Sequence, residues 1–327
     1  MFLPEEAVTL GGLPAGGVPL AGFGSFYAGG RQVRIEGRPI AQIQFTPTVD
    51  FDWDPNGLFH IEQAYVQWFM PADRRHDLPI VLLHGGGFTG TMWEATPDGR
   101  PGWLQDFLGA GYPVYVVDNV ERGRAGWCPF TEFWPGPPIL RSAEEAWSLF
   151  RVGAAADFAM RRPFAAQRFP TAAFDDLIRG SVPRFPRQTD DAAVAALGAV
   201  FDRIGRSVAL VAHSQGGEIA LRAALASPER IAALVLVESS GFPAAGTAAG
   251  WPVLQVVGDH LDATPLWIDL ARRYRTFAAD LTRQGVRNDA WFLAERGIIG
   301  NSHMPMMDDN STDIAAEIAV WLAGVRS

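Results

Sequence analysis

Lysine is missing altogether: every one of the 27 Lys-or-Arg positions in this 327-residue chain is arginine. That excludes Schiff-base chemistry, a pyridoxal-phosphate lysine, a Ser–Lys dyad and the phosphate-gripping lysine of a P-loop. Cysteine is nearly missing too. Cys128 stands alone, which excludes a disulfide framework within the chain and any Cys-rich zinc or iron–sulfur site. Cys128 itself reads as a small buried apolar residue rather than a nucleophile. No apolar run approaches the ~18 residues of a membrane helix, so no membrane partner is expected. The stretch Met1 to Leu10 has no positively charged start and carries Glu5 and Glu6. It does not read as a secretion signal, and a cytoplasmic chain is expected, although a processed exported form would leave the same sequence.

Positive charge is also in short supply. The net charge of -9 disfavours a nucleic-acid or anionic-membrane surface. Charged residues make up 19% of the chain and hydrophobic ones 48%. This is too apolar for disorder and ample for a large core.

Gly- and Pro-rich residues 1–60 hold short alternating stretches, Gln32 to Ile35 and Ile40 to Phe45, that read as antiparallel strands. Tyr65 to Met70 reads as another. Pro79 to Leu83 is a continuous apolar run, the pattern of a strand buried on both faces. Trp103 to Ala110 follows as a helix and Val114 to Val117 as a second buried strand. Residues 119–206 show no comparable strand but many aromatic and proline residues, and read as a helical and loop cover over one end of a sheet. The helix Asp190 to Ile204 leads back into the core. Strands are then expected at Ser207–Ala212, Ala233–Val237, Val253–Val257 and Ala290–Leu293. Helices are expected at Glu218–Ala226, Pro265–Gln284 and Asp313–Leu322. This alternation predicts an α/β fold with a mostly parallel sheet and helices on both faces, in a single domain over 1–327. Ligands in such sheets bind beyond the carboxyl ends of the strands.

The sharpest chemical signal is Val211-Ala212-His213-Ser214-Gln215-Gly216-Gly217. A buried strand runs into Ser214 and a helix leaves it. Small residues flank it two places away on each side, Ala212 standing where Gly is more usual. This is the pattern of a nucleophile elbow, in which a strained turn lifts the serine hydroxyl above the sheet. A serine capping a helix would need neither small neighbour. The serine needs a base within hydrogen-bond reach. Of the six histidines, His60 and His76 precede the core, His84 belongs to the loop after Leu83, and His213 should point away from its neighbour. His303 follows the last expected strand, where the chain order serine, acid, histidine puts the base. His260 is the second choice and more naturally lines the site. The oxyanion hole needs two backbone N–H groups. Gln215, just after the nucleophile, supplies one; Gly86, in His84-Gly85-Gly86-Gly87, is expected to supply the other.

Three acids compete for the remaining role. Asp259 and Asp262 follow Val253–Val257, the commoner place in this fold by analogy alone. Glu238 directly ends the apolar Ala233–Val237 run, where a carboxylate is costly to bury unless something binds it. The imidazole of His303 would be such a partner. Glu is also longer than Asp, which suits a strand one place nearer the nucleophile. Glu238 is the preferred acid.

Taken together, these stretches resemble the bacterial α/β-hydrolase esterases of the Alcaligenes type. The resemblance rests on Gly24-Ser25-Phe26-Tyr27, His84-Gly85-Gly86 with Thr89-Gly90, Thr96-Pro97-Asp98-Gly99-Arg100 with Gly102-Trp103, and Arg122-Gly123-Arg124. It continues through His213-Ser214-Gln215-Gly216-Gly217, Val237-Glu238 with Ser240-Gly241, Gly258-Asp259-His260 and Gly300-Asn301-Ser302-His303-Met304. It implies an α/β-hydrolase fold and a catalytic Glu after the sixth strand, in agreement with Glu238. A serine hydrolase of a carboxylic ester or lactone is expected, with no metal or organic cofactor. The dense aromatics of the cover suggest a fairly bulky apolar substrate, with Gly87, Trp127, Phe133, Trp134 and His260 as its expected contacts. A homodimer is left open. A thioester or amide hydrolase would use the same residues, and a non-catalytic receptor could keep them. Epoxide and haloalkane hydrolases use an Asp nucleophile, which Ser214 argues against.

Overall fold

A computed structural model of the chain describes residues 17–134, 136–185, 188–243 and 250–325. The stretch Met1 to Leu10, read above for a leader, lies outside them. The central sheet has eight strands: β1 (Leu20–Ile35), β4 (Gly57–Pro71), β5 (Ile80–Leu83), β6 (Val114–Asp118), β7 (Val208–His213), β8 (Ile231–Val237), β9 (Val253–Val257) and β10 (Asn288–Phe292). Their spatial order is β1-β4-β6-β5-β7-β8-β9-β10. The pairings from β6 through β5 and β7 to β10 are parallel, while β1 and β4 form an antiparallel edge.

The parallel strands are buried on both faces, as their unbroken apolar runs require. In β5 the side chains of Ile80 and Leu82 enter one core and those of Val81 and Leu83 the other. Each such burial contributes about 1.5–3 kcal/mol relative to exposure. Helices α1 (Trp103–Gly109) and α7 (Ser311–Ala323) pack together, Trp103 Nε1 donating to the Ser311 carbonyl at 2.9 Å. Helices α4 (Asp190–Ile204), α5 (Gln215–Ala226) and α6 (Pro265–Arg283) fall close to the expected places. Two short helices, α2 (Ala143–Leu149) and α3 (Phe174–Arg179), lie in the segment read as helices and loops, at positions the sequence did not single out. At seven and six residues, each is too short to show a helical period.

The N-terminal part departs most from expectation. β1 starts at Leu20, well before Gln32, because residue-by-residue pairing with β4 overrides the glycines that obscure its pattern. The stretch read from Ile40 forms β2 (Ala41–Thr46), which pairs antiparallel with β3 (Val49–Trp53) in a separate hairpin. That hairpin is exposed along its length, including Phe45 and Phe51.

Topology fixes the neighbourhood that matters. β5, β7 and β8 are adjacent, so the residues just past their carboxyl ends, Gly86, Ser214 and Glu238, meet along one line. The loop after β10 returns across this edge with His303, and Arg141, Leu149, Phe150 and Arg184 from the segment between β6 and β7 line the cavity there.

Candidate active site

Ser214 sits at φ 50°, ψ -120°, a strained conformation of the kind that persists only when the surroundings enforce it. Its N–H donates to the Val237 carbonyl, and its own carbonyl accepts from Ser240 and Gly217. The next turn passes so close to β5 that a Cβ on Gly216 would lie 2.4 Å from the His84 carbonyl oxygen. Glycine is therefore obligatory there, which is the physical content of the small residue in the motif.

The hydroxyl of Ser214 lies 3.1 Å from His303 Nε2, and His303 Nδ1 lies 3.1 Å from Glu238 Oε2. Among the described residues, no other acid is hydrogen-bonded to the His303 ring. Asp262 is exposed. Asp259 accepts from the backbone N–H groups of His260 and Gly300, at 2.7 and 2.8 Å, and so ties two loops together.

The His303 loop is held from several sides. The His303 N–H donates to the Phe150 carbonyl at 2.8 Å, and His213 Nε2 donates to the His303 carbonyl at 2.9 Å. His213 thus points away from the serine and braces the His303 backbone instead. Burial pushes its pKa down to about 3, keeping it neutral. Asp308 accepts from the Ser302 N–H, the Ser302 hydroxyl and Asn301 Nδ2. At Gly300, φ is +86° and a Cβ would collide with the Ala166 carbonyl of the cover, so the motif glycine marks where cover and loop touch.

Glu238 is fully buried and has a second partner that sequence reasoning missed. Arg151 of the cover, itself fully buried, grips it with both guanidinium nitrogens, Nη1 to Oε2 at 3.0 Å and Nη2 to Oε1 at 2.6 Å. Arg151 also donates from Nε to the Asp259 carbonyl at 2.7 Å and lies over the Trp267 ring. No local pattern could have announced it, because Arg151 and Glu238 are 87 residues apart.

These contacts set the protonation states. Burial alone would push the Glu238 carboxyl up, but the Arg151 charge and the His303 hydrogen bond hold it at about 2. His303 is pulled the other way: burial lowers its pKa and Glu238 only partly restores it. The imidazole is therefore neutral at neutral pH and free to accept a proton. We expect kcat/KM to rise with pH through an ionisation below the ordinary histidine value of about 6.5, then level off, because only the imidazolium form is inactive. A pH–rate profile checks this; an acid limb centred above pH 7 would contradict it.

Ser214, His303, Gly86 and Gln215 line one cavity of about 810 Å³. His84 orients the loop that carries Gly86. Its Nε2 accepts the Asn119 N–H at 3.1 Å, so Nδ1 carries the proton and donates to the Gly85 carbonyl at 2.9 Å. The cavity lining is mixed: Leu149, Phe150, Leu266, Trp267 and Leu270 are apolar, while Arg141, Arg184, Asp190, Asp191, Glu218 and Arg222 bring charge of both signs. The expected substrate contacts fare poorly. Trp127 is exposed and stacks on Phe185, Trp134 is buried in the core, and Phe133 packs near Phe130 beneath Arg31. His260 packs against Phe164. Gly87 pairs with Val182 through its carbonyl. None of these lines the Ser214 cavity. Most cover aromatics pack on one another or on the sheet instead, as Trp147 does with Phe158 and Phe174.

A serine hydroxyl, an imidazole and a carboxylate in this series can carry out nucleophilic acyl transfer. Residues 80–322 match the alpha/beta hydrolase family. The chain is 28% identical over 315 residues to the probable secreted lipase phiG of a fungal species, covering 79% of this chain and 85% of that one. A shorter match, 41% over 103 residues, joins it to lipase LipV of Mycobacterium tuberculosis, covering 31% of this chain and 37% of that one. Among solved structures, a bacterial esterase superimposes with a TM-score of 0.83 at 32% identity, covering 96% of this chain and 99% of that chain. Among the described residues, no helix is long and apolar enough to cross a membrane.

Proposed function

Since the chain belongs to the alpha/beta hydrolase family and is a carboxylic-ester hydrolase, we propose that it cleaves its substrate through an acyl-enzyme on Ser214. The observation that carries this is the relay of two 3.1 Å contacts from Ser214 through His303 to Glu238. Ser214 Oγ attacks the carbonyl carbon while His303 Nε2 takes its proton. The tetrahedral oxyanion is held by the backbone N–H groups of Gly86 and Gln215. His303 returns the proton to the leaving alcohol, the C–O bond breaks, and the acyl group stays on Ser214. Water, deprotonated by the same imidazole, then releases the acid and restores the serine. Glu238 holds the imidazole in its working tautomer and stabilises the imidazolium.

The substrate in this reading is an ester or lactone with a sizeable apolar part, lying against Leu149, Phe150, Leu266, Trp267 and Leu270. Apolar walls of this kind are the norm in small-molecule sites. A graded series of 4-nitrophenyl esters and lactones tests it. Turnover should occur, with kcat/KM rising from acetate toward longer and aryl acyl groups. Saturable binding without turnover of any activated ester would instead mark a receptor.

A further inference from the structure

Cleavage by Ser214 and His303 asks for no arginine, yet Arg141 and Arg184 both line the cavity that holds them. They stand on two segments of the cover that the fold lays side by side. Ile139 and Arg184 exchange backbone hydrogen bonds of 2.8 and 3.0 Å, and Arg141 follows two residues on. The two like charges oppose each other. Burial, with Arg141 adding to it, lowers the Arg184 pKa.

Arg184 is close to the reaction centre. A methyl group on Gly86 would come within 3.1 Å of its Cζ. Its Nη1 donates to Gln215 Oε1 at 2.8 Å. Among the described residues this neutral amide is its side-chain partner, and no carboxylate is ion-paired with it. Most of the nearby acids have other engagements. Asp190 accepts from Gln215 Nε2 at 3.1 Å, Asp191 pairs with Arg222, and Glu145 pairs with Arg141; Glu218, which also lines the cavity, makes no ion pair with Arg184 among the described residues. A half-buried guanidinium loses hydration that a neutral amide only partly replaces. A planar carboxylate fits its fork and restores what was lost.

We propose that the substrate is an ester or lactone that also carries an ionised carboxylate, received by Arg184 with Arg141 beside it. The apolar part lies against Phe150 and Trp267 in the same cavity. The assignment rests on the ester-hydrolase reading and names the substrate class of that same site.

The test compares mono-4-nitrophenyl adipate with its methyl ester, which has the same scissile bond and no charge. Wild-type kcat/KM should favour the acid by roughly 10–100-fold, the worth of a charge-assisted hydrogen bond. Arg184→Gln should bring the ratio close to one, Arg184→Lys should keep part of it, and added salt should lower it in the wild type. A merely structural role for Arg184 would depress both esters alike and leave the ratio unchanged. Wild-type turnover of both esters with no preference for the acid overturns the carboxylate assignment alone, without recourse to any variant. Failure to turn over either ester overturns the hydrolase reading with it.

Discussion

Ser214→Ala is expected to lower kcat by roughly 10⁶-fold while the chain stays folded. The substitution removes one oxygen and keeps the Cβ, so the φ of 50° is no more strained than before. The turn is fixed by backbone bonds to Val237, Ser240 and Gly217, none of which uses the hydroxyl. His303 loses only its 3.1 Å contact to Oγ; its bonds to Phe150, His213 and Glu238 persist. A small residual rate should survive, since oxyanion donors and binding alone give some acceleration over water. Steady-state assays on an activated ester, with circular dichroism as the folding control, make the comparison. Near-normal turnover by the folded variant would place the nucleophile elsewhere.

Glu238→Gln should cost about 10⁴-fold in kcat, whereas Asp262→Asn should leave it close to wild type. The amide can offer its N–H to His303 and favour the wrong tautomer, and it cannot stabilise the imidazolium. Asp262 is exposed and should be replaceable. The Glu238 variant carries a further penalty from Arg151, which is left as a fully buried cation with no carboxylate. Breaking one side of such a pair destabilises by about 3–5 kcal/mol. A double variant, Glu238→Gln with Arg151→Met, removes the orphaned charge and should recover folding without recovering activity. That outcome separates loss of the acid from loss of the fold. A dead Asp262→Asn beside an active Glu238→Gln would reverse the assignment.

What could be read from the sequence follows the range of the forces involved. The elbow around Ser214 is legible because steric crowding acts over two or three residues and leaves small side chains where it acts. His303 and Glu238 are legible because each ends a strand or follows one, and strand order carries them to a common edge. Glu238 could be preferred over Asp262 for a local reason, a carboxylate ending an apolar run. Arg151 could not be found this way. It lies in the cover, and its pairing with Glu238 exists only after the chain has closed on itself. The same limit explains the cover aromatics. An aromatic residue in a Pro-rich segment looks alike whether it faces substrate or core. Trp134 turned inward, Trp127 stacked on Phe185, and Phe150 reached the cavity. The N-terminal strands were obscured for another reason: β1 takes its length from pairing with β4, not from its own glycine-containing pattern.

The most direct measurement is covalent. A 4-nitrophenyl alkylphosphonate mimics the tetrahedral intermediate and stays attached to whichever nucleophile attacks it. Peptide mapping by mass spectrometry after complete inactivation should find one adduct per chain, on the peptide that contains Ser214. Labelling should slow as pH falls through the His303 ionisation. An adduct on any other residue, or full inactivation with Ser214 unmodified, would contradict the assignment of Ser214 as the nucleophile.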